Sequence, residues 1–417
     1  MVALDSKPGW KLTHCKTISA LEIITFTLCA ITMLTALIDN NLSMKLFNVS
    51  GILALITLVI RGKSSQYSLK SGVLPFAILL LGIVDLVWYS IFKTNDSLFR
   101  ATYHSYLNTA KILLIGAIII LLAATSQLKI NKSKILYLFY SLSFLIAAYA
   151  FYIKHKEHTE RIDFGIGTAT GAAYSILIIG VISALSILYT RKNHPFLFIL
   201  NAGFVFLALV LTQTRSSIIL FPFICAFALV TFYNKSVKKV FFSIIGFIVL
   251  LSMLLFIFNK PITERYNQAV EDITQYNSNN SRTSIGARLA MYEAGVEIFK
   301  QAPFEFRSVE NRANYTMKLI AKNDGLRGAR PFLNVHFHNE IIEAASLKGI
   351  AGILATLFFY FALIFAAHYH RSPGLLVLTL AIILTGLSDV IIWSRSIPII
   401  MMTTIALVLM FQKKKEV

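Results

Sequence analysis

The chain has 417 residues, of which 56% are hydrophobic and only 14% are charged. A water-soluble protein cannot keep so much apolar surface away from water with so few charges. Intrinsic disorder is excluded as well, because disordered chains are poor in hydrophobic residues. The composition therefore predicts a polytopic membrane protein.

The net charge of +19 raises the question of a nucleic-acid partner. The basic residues form short clusters between apolar runs, a pattern typical of membrane orientation rather than of a groove that follows phosphates. The three cysteines, Cys15, Cys29 and Cys225, have no spacing that suits a metal site. We therefore expect no nucleic-acid partner, no disulfide framework and no zinc site.

The apolar runs predict the number of membrane-spanning helices. A transmembrane helix needs about 20 predominantly apolar residues. The sequence contains twelve candidate runs and no alternation of the β-barrel kind, so the predicted class is α-helical. The runs are 18–38, 46–60, 72–92, 107–126, 135–153, 167–189, 196–213, 217–233, 240–258, 349–367, 374–393 and 397–411.

The basic residues of the short loops predict how these helices are oriented. If the N-terminus is cytoplasmic, most lysines and arginines of the short loops fall on the cytoplasmic side. Both termini are then inside, and the long segment after the ninth run faces outward. The predicted organisation is transmembrane helices 1–9 in residues 1–258, an outward loop in 259–348, and transmembrane helices 10–12 with a cytoplasmic tail in 349–417.

The outward loop is long enough to contain folded elements. A loop of this length inside a compact protein usually has a function. Its start, Asn259–Asn280, is polar and rich in asparagine, whereas 284–300 has apolar residues at helical spacing behind an N-cap at Thr283 or Ser284. A second helix is predicted from about residue 334 toward 349, from where it enters the tenth run.

Two arginines are candidates for anion binding. Arg215 ends the seventh run at the outer membrane surface, and Arg288 lies near the N-terminus of the predicted helix 284–300. The planar fork of an arginine can hold a pair of phosphate oxygens, and a helix N-terminus adds free N–H groups. Arg265 lies nearby in sequence and can support them. The alternatives are that Arg215 reaches toward lipid headgroups and that Arg288 faces solvent beside Glu293.

Two histidines lie at the start of the second predicted helix. For His336 and His338 a metal site is disfavoured, because no third ligand follows at a recognisable spacing. A helix N-terminus disfavours imidazolium and leaves a neutral ring that can act as a general base. If the helix includes both residues, they point about 200° apart, so only one faces a substrate, with Asn339 and Glu340 as orienting neighbours. The alternative is that both only cap or pack the helix.

Three acids lie inside apolar runs, where an unpaired charge is unfavourable. Asp389 lies near the outer end of its run and can orient Arg215 or Arg395. Glu22 and Asp85 are predicted to be structural ion pairs or protonated acids. Acids of this kind also occur in proton-coupled transporters, so a transport function stays open.

Five short motifs resemble those of the O-antigen ligases of lipopolysaccharide assembly, within the wider family that includes O-antigen polymerases. The resemblance covers essentially the whole chain, and three of the motifs contain Arg215, Arg288 and His338. The motifs are RATYHSYLNT at 100–109, LTQTR at 211–215, GARLAMYE at 286–293, HFHNE at 336–340 and SDVIIW at 388–393.

The resemblance implies a glycosyltransferase in the inner membrane of a bacterial cell. The expected donor is O-antigen polysaccharide on undecaprenyl pyrophosphate, and the expected acceptor is the lipid A–core oligosaccharide, both held among membrane lipids. The 259–348 loop becomes a periplasmic loop that contains the catalytic helices. Arg215 and Arg288 match the arginines that contact pyrophosphate, and His338 matches the essential histidine. No nucleotide sugar, no cofactor and no obligatory metal are expected.

The chemistry of these residue types agrees with that expectation. A lipid pyrophosphate needs cations for its developing charge, and a sugar hydroxyl needs a base. No paired carboxylates suggest a covalent glycosyl-enzyme step, so a single inverting displacement is predicted. The alternatives are an O-antigen polymerase, which differs only in its acceptor, and a flippase of lipid-linked oligosaccharides. A flippase is disfavoured because no internal repeat is present.

Overall fold

The fold is taken from a computed structural model of the chain, which describes residues 8–62, 68–94, 96–128, 132–158, 160–190, 194–233, 236–257, 259–393 and 396–411. Every regular element in these ranges is helical, so the predicted all-α class is confirmed. Two 3₁₀ helices lie at Phe164–Ile166 and Asp324–Phe332. The α-helices are α1 Pro8–Thr35, α2 Asn40–Arg61, α3 Leu69–Phe92, α4 Arg100–Thr125, α5 Lys132–Glu157, α6 Ala169–Thr190, α7 Pro195–Thr212, α8 Arg215–Tyr233, α9 Val237–Ile257, α10 Asn259–Asn277, α11 Ser284–Gln301, α12 Val309–Lys322, α13 Glu340–Tyr369, α14 Pro373–Ser388 and α15 Ser396–Met410.

The twelve predicted runs all overlap observed helices. Within the described residues, nine helices are long and apolar enough to cross a membrane, namely α1 to α8 and α13. Helices α14 and α15 are apolar but shorter, and α9, with 21 residues, occupies the remaining run. The chain is therefore a polytopic membrane protein. The number of twelve spans and the division of the chain at residues 258 and 348 stay predictions.

Helix α6 lies at the centre of the bundle. Its residues 171–188 are all buried, and it packs against α5, α7, α8, α14 and α15. A helix that is apolar on all sides suits this position, because no face meets water. Around the outside, large hydrophobic side chains such as Val59, Phe76 and Ile219 are exposed, as lipid-facing positions can be.

Two of the acids inside apolar runs form buried ion pairs. Glu22 on α1 pairs with Arg61 on α2, and Asp85 on α3 pairs with Lys348 on α13. Glu22 is 2% exposed and Asp85 is 1% exposed, so each carboxylate has the partner that its burial requires. The prediction of structural ion pairs is confirmed for both.

The outward loop is more helical than predicted. The polar stretch 259–280 contains α10, which begins two residues after α9 ends. Helix α11 begins where expected, with the Thr283 side chain accepting a hydrogen bond from the Gly286 N–H. Helix α12, capped by Ser308, and the 3₁₀ helix 324–332 were not predicted. The buried residues of α12 include Arg312 and Thr316, so its buried face does not form a continuous apolar pattern in the sequence.

Helix α13 begins at Glu340, so the prediction of a start near Asn334 was wrong. Asn339 is the N-cap, and its side-chain oxygen accepts hydrogen bonds from two N–H groups of the first turn. The helix then continues into the tenth predicted run, as expected. It kinks at Gly349, whose φ of +53° lies in the left-handed region.

Aromatic and acidic side chains attach the outward loop to α3 and α4. The Trp88 indole N–H donates to the carbonyl of Arg307 at 2.7 Å, and its ring stacks on Tyr103 with centroids 5.2 Å apart. Glu310 on α12 accepts hydrogen bonds from the hydroxyls of Ser97 and Tyr103. These contacts hold the loop against one end of α3 and α4.

The Gly349 kink predicts a specific stability defect. A Cβ at this position would lie 2.4 Å from the carbonyl oxygen of Pro303, and an alanine would have to keep the unfavourable φ of +53°. Gly349→Ala should therefore destabilise the protein by about 1–3 kcal/mol, seen as a lower melting temperature in detergent. Gly72→Ala on α3 is the control, because a Cβ there meets nothing within 4 Å, and helix propensity favours alanine by up to about 1 kcal/mol. Equal melting temperatures of the two variants would contradict this role of Gly349.

Candidate active site

The two predicted histidines lie in an irregular segment before α13, which we call the histidine segment (residues 334–338). His338 has a φ of +49°, a conformation that residues other than glycine rarely adopt. Its carbonyl accepts a hydrogen bond from the Tyr292 hydroxyl at 2.8 Å, and its N–H donates to His336 Nδ1 at 3.3 Å. The backbone on both sides of the His338 side chain is therefore fixed.

His338 forms a hydrogen bond with Asp389, which directly follows α14. The distance from Nδ1 to the carboxylate Oδ1 is 2.8 Å. Because an ionised carboxylate can only accept, Nδ1 carries the proton in the neutral ring, and Nε2 keeps its lone pair. An imidazole in this tautomer can take a proton at Nε2 while Asp389 stabilises the resulting charge. The prediction that Asp389 orients Arg215 or Arg395 is not supported for Arg215, and Arg395 lies outside the described residues.

Asp389 stays ionised over the whole neutral range. Burial alone would raise the pKa of this carboxyl. The hydrogen bond from His338 and the nearby positive charge of Arg288 act in the opposite direction and lower the pKa to about 2. The Asp389 N–H continues the helical pattern to the Thr385 carbonyl, and the carboxylate also accepts from the Val390 N–H at 2.8 Å.

His336 lies near the same carboxylate oxygen. Its Nδ1 lies 3.4 Å from Asp389 Oδ1, but this nitrogen accepts the His338 N–H, so it carries no proton in the neutral ring. The ring packs edge-on against Trp393, with centroids 4.9 Å apart. Burial lowers the pKa of His336 to about 4, although Asp389 acts to raise it. The angle of about 200° between the two histidine side chains, expected if both were in the helix, does not apply, because α13 begins after both residues.

The neighbours of His338 have other roles than the sequence suggested. The Glu340 carboxylate accepts the Ile392 N–H at 2.7 Å and makes no hydrogen bond to His338 among the contacts of the described residues. The Thr109 hydroxyl on α4 donates to the Ile392 carbonyl at 2.8 Å. The Asn339 side chain caps α13 and donates to the Leu387 carbonyl at 2.8 Å. These contacts fix the segment that carries Asp389.

Arg215 begins α8 and points toward the outward loop. Its two terminal nitrogens donate to Asp272 Oδ2 at 3.0 Å and to Gln268 Oε1 at 3.1 Å, both on α10. Asp272 Oδ2 also accepts the N–H of Ile285 at the start of α11, at 3.3 Å. Arg215 is therefore linked to α11 through a carboxylate with which an anionic ligand would compete. Arg265 lies on α10, and its side chain is outside the described part of the chain.

Arg288 lies on α11, one helical turn before Tyr292, which holds the His338 carbonyl. It is half-buried, and no hydrogen bond or ion pair to it is found among the described residues. Burial raises the pKa of the Tyr292 hydroxyl, and the Arg288 charge acts to lower it. Arg288 therefore places a guanidinium without a described partner near the Asp389 carboxylate, and its contact with pyrophosphate stays a prediction.

Tyr174 is a site residue that the sequence reading missed. Its hydroxyl lies 2.8 Å from Ser216 Oγ and 3.1 Å from Ser388 Oγ, so it bridges the residues next to Arg215 and Asp389. The sequence did contain an indication of this role, because a buried tyrosine inside an apolar run needs a hydrogen-bond partner. Its partners, from α8 and α14, could not be read from spacing.

A metal site was disfavoured from the sequence because no third ligand followed the two histidines. In the structure Asp389 lies where a third ligand could be. The ligand atoms of His336, His338 and Asp389 all lie within 4.8 Å of one another. Two imidazoles and a carboxylate are a donor set that suits several divalent metals. The 2.8 Å contact of His338 with Asp389 is the length of a direct hydrogen bond, and we interpret the pair on that basis.

Comparison with known proteins identifies two relatives and one family. The sequence profile of a family described as O-antigen ligase matches residues 200–357, which include Arg215, Arg288 and His338. The chain is 54% identical over 396 residues to the O-antigen ligase of Escherichia coli, which covers 95% of this chain and 94% of that protein. It is 26% identical over 213 residues to an uncharacterized protein of Haemophilus influenzae, with 49% of this chain and 51% of that protein covered.

The depressed pKa of His336 can be measured directly. In histidine-labelled protein, NMR should give a titration midpoint near 4 for His336, with the His336→Gln variant used for assignment. An unfolded histidine binds its proton near pH 6.5, roughly. Between that pH and about 4 the unfolded chain binds more protons than the folded one, so stability should fall as pH falls through this window. A midpoint near the unfolded value would contradict the burial of a neutral ring.

Proposed function

Since the chain belongs to the O-antigen ligase family, we propose that it transfers O-antigen polysaccharide from undecaprenyl pyrophosphate to the lipid A–core oligosaccharide. The chain is an enzyme of lipopolysaccharide biosynthesis. The observation that carries the mechanism is the hydrogen bond between His338 and Asp389, because it leaves a basic nitrogen free.

Arg215 and Arg288 bind the pyrophosphate of the donor. The bond that breaks joins the anomeric carbon of the glycan to a phosphate oxygen, and negative charge develops on the leaving pyrophosphate. Two guanidinium groups stabilise that charge more in the transition state than in the bound donor. Arg215 has two of its N–H groups on Asp272 and Gln268. The phosphate therefore either displaces these partners or uses the remaining donors of the guanidinium.

His338 is the general base. Its Nε2 removes the proton of the acceptor hydroxyl as that oxygen attacks the anomeric carbon. Asp389 holds Nδ1–H and stabilises the imidazolium that forms. Attack and departure occur on opposite faces of one carbon, so the anomeric configuration inverts in a single step. The configuration of the new linkage, determined by NMR of the product, checks this directly.

The site lies at the outer ends of the spanning helices, where two lipid-anchored substrates can meet. Holding both in one orientation removes much of the entropic barrier to their reaction. From the distribution of basic residues we propose that the protein spans the inner membrane with both termini in the cytoplasm. The active site then faces the periplasm.

The function is tested by the lipopolysaccharide of cells that lack and then regain the chain. Mass analysis should find bare lipid A–core without the chain and polymer-capped core after its return. If the chain were an O-antigen polymerase, its loss would instead change the polymer length while the core was still capped. If it were a flippase, its loss would leave lipid-linked glycan on the cytoplasmic face of the membrane.

The proposed roles of the arginines predict how substitutions act. Arg215→Ala and Arg288→Ala should each lower ligation by about 10²-fold or more, since each removes a group that stabilises the transition state. Lysine should restore activity only in part, because it lacks the bidentate fork. Ligation is measured with purified protein, lipid-linked donor and core acceptor. Full activity of either lysine variant would reduce the role of that arginine to general attraction of anions.

The role of His338 predicts a separation of catalysis from donor binding. His338→Ala should lower kcat by at least about 10²-fold and leave the donor Kd nearly unchanged. His336→Ala, the matched control from the same segment, should retain measurable activity, because its ring packs against Trp393 and its Nδ1 lone pair already accepts the His338 N–H. Loss of donor binding in His338→Ala would make this residue a phosphate ligand instead.

The same assay distinguishes a general base from a metal site. Ligation should continue in the presence of a chelator, because the proposed groups are two arginines and one histidine. If chelation abolished activity and one divalent metal restored it, His336, His338 and Asp389 would be metal ligands.

A further inference from the structure

A fully buried ion pair lies directly behind the histidine segment. Arg312 on α12 and Glu343 on α13 have side-chain exposures of 0% and 2%. Arg312 Nη1 lies 2.8 and 2.7 Å from the two carboxylate oxygens of Glu343. Neither residue belongs to the motifs that suggested the catalytic groups.

Both members of the pair bind the backbone of the histidine segment. Arg312 Nη2 donates to the Val335 carbonyl at 2.6 Å, and the Phe337 N–H donates to Glu343 Oε2 at 2.8 Å. The guanidinium also lies 4.6 Å from the centroid of the Phe337 ring. The Tyr106 hydroxyl donates to the other oxygen of Glu343. The pair thus contacts the residues that precede His338 through a carbonyl, an N–H and a ring.

The histidine segment needs such a support because it has no secondary structure of its own. His338 is held at a φ of +49°, which an unconstrained histidine would leave for a negative φ. A rotation there would move the imidazole away from Asp389, with which its Nδ1 forms a 2.8 Å bond. Precise placement of a catalytic group depends on such a supporting shell.

We propose that Arg312 and Glu343 are positioning residues for the general base, and this rests on the proposed role of His338. The pair fixes Val335 and Phe337, and so keeps His338 in the backbone conformation from which its side chain reaches Asp389. It touches neither substrate. Its loss should therefore lower kcat without weakening donor binding.

A purely structural role makes a different prediction. Replacing a buried ion pair by apolar side chains of similar size is often neutral or stabilising, whereas removing one partner leaves an uncompensated charge. The test variant is therefore Arg312→Met with Glu343→Met. The matched control is Asp85→Leu with Lys348→Met, which removes the other buried pair of α13. Neither control residue hydrogen-bonds the histidine segment among the described contacts.

The experiment compares kcat, donor Kd and melting temperature of both double variants and the wild type. We expect about a 10²-fold loss of kcat for the Arg312/Glu343 variant, the size of effect that a small misplacement causes, with donor Kd within threefold of wild type, roughly. The control should keep kcat within about the same threefold margin. Equal kcat of the two double variants, or a donor Kd that weakens as much as kcat falls, overturns the proposal.

A second variant covers the case in which the double variant fails to fold. Arg312→Lys keeps a charge beside Glu343 but cannot reach both that carboxylate and the Val335 carbonyl. The Arg312→Lys variant should fold, and its kcat should be about 10-fold lower than that of the wild type. Wild-type kcat in Arg312→Lys also overturns the proposal.

The outcome is separable from a failure of the proposed function. If the wild type does not ligate, the proposed function is wrong. If the wild type ligates and His338→Ala does too, the assigned base is wrong. If His338→Ala is inactive and the Arg312/Glu343 variants are fully active, only the positioning role is wrong.

Discussion

The hydrogen bond between His338 and Asp389 is the contact on which the proposed chemistry depends. It joins two backbone segments, 334–338 before α13 and 389–393 after α14, that meet only in the folded protein. Asp389 is 5% exposed, and a buried carboxylate without donors would be strongly unfavourable. The same bond therefore satisfies Asp389 and sets the tautomer of His338.

Helix α13 holds both segments through two acids one turn apart. Glu343 accepts the Phe337 N–H of one segment, and Glu340 accepts the Ile392 N–H of the other. Helix α4 acts on the same segments, since Thr102 donates to the Asn334 carbonyl at 2.8 Å. Neither segment has regular structure, so rigid helices supply the precision that loops lack. The buried polar network around these two segments thus serves the site as well as the fold.

Several features followed from sequence because they depend on local pattern. Hydropathy marked the spanning helices, since each needs a run of about 20 apolar residues wherever it lies in the bundle. Helix α11 followed from apolar spacing behind Thr283. The cost of burying a charge predicted that Glu22 and Asp85 are either paired or protonated, and the structure pairs both. The predicted start of α13 was wrong because backbone groups before Glu340 bond to side chains instead of to the helix. The Val335 carbonyl accepts from Arg312, and the Phe337 N–H donates to Glu343.

The sequence by itself determined that this chain is an all-α membrane protein with a long segment between its ninth and tenth apolar runs, and its motifs singled out Arg215, Arg288 and His338 as candidates. Only the tertiary structure decided that Asp389, 51 residues beyond His338, is its partner. Periodicity and composition report which face of a helix is buried, not which helix lies against it. Partners that come from different helices, such as Tyr174 with Ser388, are therefore fixed by packing alone.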